Sequence, residues 1–139
     1  MNYVVDASVV VKWYVPETFS IEAEKLLDPA YRLAAPELIL PEFSNIIWKK
    51  VRRNEITQKY GSNAVKAFEK SAVSTYPHRP LLQAAYTGAI LTGQTVYDWT
   101  YLCLAVHLNC ELVTADEKFY KALETTKLKK HLMWIGDIK

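Results

Sequence analysis

Apolar positions in this chain come as short unbroken runs separated by stretches in which they recur every three or four residues. The first pattern reads as buried strands and the second as amphipathic helices. "NYVVD" is a strand, and "SVVVKWYV" either prolongs it or opens a short helix that Pro16 stops. "TFSIEAEKLLD" brings Ile21, Ala23, Leu26 and Leu27 near helical spacing up to Asp28 and Pro29, and "YRLAAP" is a second strand. From Pro36 or Pro41 to Arg53 the pattern predicts a strongly amphipathic helix, with Phe43, Ile46, Ile47 and Val51 on one face and Asn54 closing it. "TQKYGSNAVKAFEKS" is a helix with Thr57 as N-cap, "AVSTYPH" a third strand, and Pro80 to about Leu91 a further helix. After a loop, "TGQTVYD", come an apolar helix "DWTYLCLAVHLN", a fourth strand "CELVTAD", a short helix "EKFYKALETT" and a fifth strand "HLMWIG". This alternation predicts an α/β fold, a mostly parallel sheet of about five strands with helices on both faces.

A length of 139 residues suits one domain over 1–139, and a composition half apolar and 12% aromatic excludes a disordered chain. The start lacks the basic region of a signal peptide and carries Asp6 and Lys12, and no apolar window approaches ~18 residues, so a soluble, cytoplasmic protein without membrane association is expected. Cys103 and Cys110 fall about two turns apart in one helix and its exit, too far for a disulfide, and read as core thiols. His78, His107 and His131 make no zinc-ligand spacing. A net charge of +2 decides nothing, but "WKKVRRN" and "TTKLKKHL" concentrate the cations. The four glycines form no phosphate-binding loop, which excludes P-loop and dinucleotide sites, and no nucleophile elbow supports Ser/His/Asp catalysis.

The informative residues are four acids. Asp6 ends a strand of Val and Tyr that contains no partner for it, although an ionised carboxylate in such a run costs several kcal/mol unpaired. Asp116 ends "ELVTAD"; Glu42 lies in the first turn of an apolar helix; Asp98 opens another. In a parallel α/β sheet the carboxyl ends of the strands line the functional crevice, so neighbouring first and fourth strands would bring Asp6 and Asp116 to one edge. Taken singly, each acid is also explained as a strand-end cap or a helix-start acid favouring the dipole. Taken together they would repel one another unless a cation sat among them. Oxygen ligands without Cys or His select a hard ion, Mg2+ or Mn2+, which suits phosphoryl chemistry.

With these residues the chain resembles the PIN-domain ribonucleases, and within them the small VapC-type toxins. The likeness covers "VVDASVVVKWYVPE", "APELILPEFSNIIWKKV" and "VYDWTYLCLAVHLNCELVTADEKF", with Asp6, Glu42, Asp98 and Asp116 in the family order. Bulky Trp99 and Thr100 stand where the family commonly has small residues, and Pro41 precedes the Glu. The resemblance implies a PIN-like three-layer α/β/α fold and a Mg2+- or Mn2+-dependent endoribonuclease, with those four acids holding the metal and orienting the attacking water. Ser8 and Thr114 would be supporting hydroxyls, and Asn45 would bind substrate or brace Glu42; Glu117 is left as a neighbour. The resemblance also implies an RNA substrate, a small antitoxin partner and a homodimer. The large side chains of Trp13, Trp48 and Trp99 are either core or a surplus at such an interface. The competing reading is a catalytically inactive PIN-like module that binds RNA or a partner; against it, all four acids are present.

One helix extends the picture toward substrate. Glu42, Asn45, Lys49 and Arg52 share a stripe, with Arg53 close by, so phosphates flanking the cleaved one would lie along the cations. An ordinary solvated basic face is the alternative, since cations in a last turn also favour the dipole.

Overall fold

The computed structural model describes residues 2–139. Five strands, β1 (Asn2–Val5), β2 (Arg32–Pro36), β3 (Ser74–Tyr76), β4 (Glu111–Thr114) and β5 (Leu132–Trp134), form one sheet in the order β3-β2-β1-β4-β5. Every pairing is parallel, so the expected mostly parallel sheet is wholly so. Parallel strands need covering on both faces, and β1 and β4 meet this with an unbroken buried core of Val4, Val5, Leu112 and Val113.

The helices are α1 (Ala7–Tyr14), α2 (Ser20–Glu24), α3 (Ile39–Arg52), α4 (Gln58–Glu69), α5 (Leu82–Thr92), α6 (Val96–His107) and α7 (Glu117–Leu123). The chain leaves β1 toward β2 and β3, then returns past β1 to β4 and β5; right-handed crossovers therefore put α1 to α4 on one face and α5 to α7 on the other. The reversal occurs beside β1, which makes the crevice between the carboxyl ends of β1 and β4 the switch point of the sheet.

On the first face, Phe43 packs against Phe68 with ring centroids 4.5 Å apart and against Tyr14 at 5.3 Å. Glu17, in the turn after α1, joins two helices: it accepts from Lys12 of α1 at 2.8 Å and from Lys50 of α3 at 3.1 Å. These charges hold the Glu17 carboxyl below its usual range despite partial burial. On the second face α6 lies across β1, β2 and β4, with α5 stacked on it. Trp99 of α6 presses on Gly88 of α5, where an added Cβ would stand 2.2 Å from the indole, and the indole N–H donates to Thr92 Oγ1 at 2.8 Å.

Several expected boundaries shift for local reasons. "SVVVKWYV" is helix rather than strand, because Asp6 caps it at once. The third helix starts at Ile39, between the two candidate prolines, and Pro41 fits within its first turn, where no intrahelical N–H is needed. The loop "TGQTVYD" ends at Thr95, not at Asp98: Thr95 is the N-cap of α6, and Asp98 lies a turn inside. "TFSIEAEKLLD" closes in a 3-10 turn over Lys25–Leu27, and "HLMWIG" is strand only to Trp134. The two cysteines are free and half-buried rather than fully core. Trp99 is buried, whereas Trp48 is 53% exposed. Among the described residues no helix is long and apolar enough to cross a membrane.

Candidate active site

Asp6 stands where β1 ends, and its carboxylate is held from three sides. Oδ1 accepts from the Val9 backbone N–H at 3.2 Å and from the Ser8 hydroxyl at 2.5 Å, while Oδ2 accepts from the Thr114 hydroxyl at 2.7 Å. The Val9 bond is the cap of α1; the Thr114 bond crosses from the adjacent strand. Each hydroxyl also accepts from the chain leaving β4: Ser8 Oγ from Ala115 N at 3.3 Å and Thr114 Oγ1 from Asp116 N at 3.0 Å. Asp116 then caps α7 by accepting from Phe119 N at 3.0 Å. Parallel pairing of Val5 with Val113 is the register that allows this mesh.

Asp98 is set by a reciprocal cap. Its backbone N–H donates to Thr95 Oγ1 at 3.1 Å, and the Thr95 hydroxyl donates back to Asp98 Oδ2 at 3.0 Å. Glu42 arrives from the other face, on the first turn of α3. Its Oε1 is buried and has no hydrogen-bond partner, and the Tyr101 hydroxyl, which interacts with this carboxylate, is buried and unpartnered as well.

Electrostatics ties these groups together. Burial raises Asp6 to a pKa of about 6, against the pull of its hydrogen bonds, and the charge of Asp98 adds to the rise. Burial raises Glu42 to about 7; the Tyr101 hydroxyl opposes this, and the Asp6 and Asp98 charges reinforce it. Asp98 is raised by burial and by Asp116, with Thr95 and Lys118 pulling it down. Asp6, Glu42 and Asp98 thus feel one another, and Asp116 joins through Asp98. Among the described residues, however, no three His, Cys, Asp or Glu side chains are grouped so as to hold a metal ion.

The remaining candidates divide. Ser8 and Thr114 touch Asp6 directly. Asn45, Lys49, Arg52 and Arg53 are exposed along and beyond the stripe that starts at Glu42, and the Arg52 guanidinium lies 5.4 Å from the centre of the Trp48 ring. Lys50 turns away to Glu17 and Glu55. Glu117 pairs with Lys121 at 2.6 Å on the surface. Sequence reasoning missed Tyr101, Thr95 and Lys118. The "TVYD" spacing of a capping box signals Thr95, whereas nothing in an apolar helix marks one tyrosine as different from its neighbours.

A PIN domain model matches residues 3–123. Ribonuclease VapC3 of Pyrobaculum aerophilum is 32% identical over 120 residues, which cover 85% of this chain and 92% of that one. A crystal structure of a protein from Pyrobaculum aerophilum superposes over 98% of this chain and 93% of its own, with a TM-score of 0.73 at 23% identity. VapBC2 of Rickettsia felis, crystallised bound to a DNA fragment from its promoter, superposes over 96% of this chain and 98% of its own, with a TM-score of 0.63 at 16% identity. At those identities the two structures speak for the fold alone.

Proposed function

The chain belongs to the PIN-domain family, and from that premise we propose that it is a Mg2+- or Mn2+-dependent endoribonuclease, the toxin of a toxin–antitoxin pair. The observation that carries the reading is Glu42 Oε1, a buried carboxylate oxygen with no partner, on a side chain that feels the charges of Asp6 and Asp98. Like charges gathered out of water are unstable by themselves and are matched by a cation. All the donors are oxygens, which suits a hard divalent ion. Although no three of the acids are grouped to hold a metal among the described residues, Mg2+ commonly takes only one or two carboxylates and keeps several waters.

Asp6, Glu42, Asp98 and Asp116 are the residues from which the ion would draw its carboxylates. When bound, it supplies charge neutralisation at a phosphate oxygen and lowers the pKa of a coordinated water toward neutrality. The chain's own part is orientation. Ser8 and Thr114 fix both oxygens of Asp6, so that its carboxylate does not rotate. Thr95 fixes Asp98 in the same way. Lys49, Arg52 and Arg53 would pair with the RNA backbone beside the cleaved phosphate, and the exposed Trp48 next to Arg52 offers an apolar surface to an unpaired base.

The ribonuclease name of the Pyrobaculum relative supports RNA as substrate, and the two-part VapBC designation of the Rickettsia neighbour supports an antitoxin partner. The proposal includes a homodimer, for which exposed Tyr86, Ile90 and Leu91 on α5 offer an apolar surface to cover. The deciding experiment incubates purified protein with total RNA in Mg2+, Mn2+ or EDTA and maps the new ends. Discrete cleavage with either ion and none in EDTA is expected; cleavage undiminished in EDTA, or none under any condition, overturns the reading.

A further inference from the structure

The proposed chemistry leaves one buried donor in the crevice without a task. Tyr101 lies on α6 three residues beyond Asp98, hence on the same side of the helix, and is 2% exposed. Its hydroxyl has no hydrogen-bond partner, and neither has Glu42 Oε1, although the two side chains are close enough to interact. A phenol has one proton to donate, and an ionised carboxylate can only accept. Two complementary buried orphans that interact are each other's remaining partner, because a buried polar group left alone is costly and rare.

We propose that Tyr101 is the positioning residue for Glu42: its hydroxyl donates to the carboxylate and so directs the acceptor lone pairs left over toward the crevice of Asp6 and Asp98. The inference rests on the metal-dependent reading above. The two residues come from opposite faces of the sheet, Glu42 from α3 and Tyr101 from α6, and the bond therefore spans the switch point in a way that no contact within one face can. A tyrosine serving only as apolar filling would need no hydroxyl, and phenylalanine would replace it silently. A positioning tyrosine acts through the hydroxyl alone.

The test uses the full chain and Mn2+ alone as probe. In calorimetric titration, Tyr101→Phe should bind Mn2+ about ten-fold more weakly than wild type, in keeping with the loss of a partner that orients a metal ligand. The metal-free variant should remain folded, as read by circular dichroism, since the ring is retained. In RNA cleavage kcat should fall at limiting Mn2+ and recover in excess Mn2+, with KM for RNA unchanged. In a Glu42→Gln background Tyr101→Phe should cost nothing further in Mn2+ affinity. Equal Mn2+ affinity of Tyr101→Phe and wild type, or additive losses in the double variant, overturns the role of Tyr101 and leaves the proposed function intact. Absence of Mn2+ binding by wild type overturns both.

Discussion

Thr114, at the end of β4, donates a 2.7 Å hydrogen bond to Asp6, at the end of β1, and so joins the two strands that flank the switch point. The bond occupies Oδ2, the oxygen that neither Ser8 nor the helix cap reaches. Thr114→Val keeps the branched shape of a fully buried residue and removes this donor. It should weaken Mn2+ binding and slow cleavage at limiting Mn2+ by about ten-fold, with the circular dichroism spectrum unchanged. An unaltered Mn2+ affinity would make the bond structural only.

Neutralising the acids separates charge from packing. Asp6→Asn, Glu42→Gln, Asp98→Asn and Asp116→Asn should each reduce metal-dependent cleavage by at least about ten-fold while leaving a folded chain. Glu42→Gln also relieves a desolvated charge, so its metal-free form should melt higher than wild type in EDTA. Wild-type rates in both Asp6→Asn and Asp98→Asn would sink the assignment.

The raised carboxyls give the metal-free protein a pH dependence of definite sign. In the folded state Asp6 titrates at about 6 and Glu42 at about 7, against roughly 4 for both when unfolded. Between those limits the folded state binds more protons than the unfolded, so this contribution to stability is complete below about pH 4 and is lost as pH rises through 6 and 7. In EDTA the melting temperature should therefore fall between pH 5 and pH 8, and Glu42→Gln should flatten the fall. In Mn2+ the slope should reverse, because the ion competes with the same protons. A melting temperature in EDTA that rises steadily over this range would contradict the assigned burial.

Much of this was legible from residue order. Asp6 and Asp116 were placed because a buried strand ending in an acid needs only an unbroken apolar run and a parallel neighbour. Thr57 was readable as a cap from its own few residues. The start of α6 was not, since Val96 and Tyr97 favour strands or loops intrinsically, and it is the Thr95–Asp98 reciprocity that turns them into a first helical turn. Tyr101 was hidden for a different reason: its neighbour Glu42 lies on another helix across the sheet, and one sequence carries no record of that approach. The same holds for Glu17 and Lys50, which meet only in the tertiary structure.

The contact of α5 with α6 leaves no slack. Gly88→Ala would drive a methyl group into the Trp99 ring and should destabilise by about 1–3 kcal/mol, read from the urea midpoint. Adding Trp99→Leu should recover part of the loss. A neutral Gly88→Ala would mean that the helices separate freely.

On α3, Lys49 and Arg52 point to solvent along the stripe that begins at Glu42. Replacing both with Gln should weaken RNA binding and flatten its salt dependence by roughly one unit of slope per lost contact, leaving Mn2+ affinity alone. Identical slopes would make the stripe an ordinary solvated face.

Lys12 and Lys50, which meet at Glu17, lie toward the far ends of the two helices whose near ends carry Asp6 and Glu42. Mechanically, α1 and α3 are the arms of a pair of tongs, riveted at Glu17, with the carboxylates as the jaws. The rivet is ionic yet sheltered, with 10% of the Lys12 side chain and 17% of Lys50 exposed, and sheltered pairs are screened much less by salt than open ones. The gap between the jaws should thereby change little with ionic strength, unlike the proposed RNA contacts on the exposed stripe of α3.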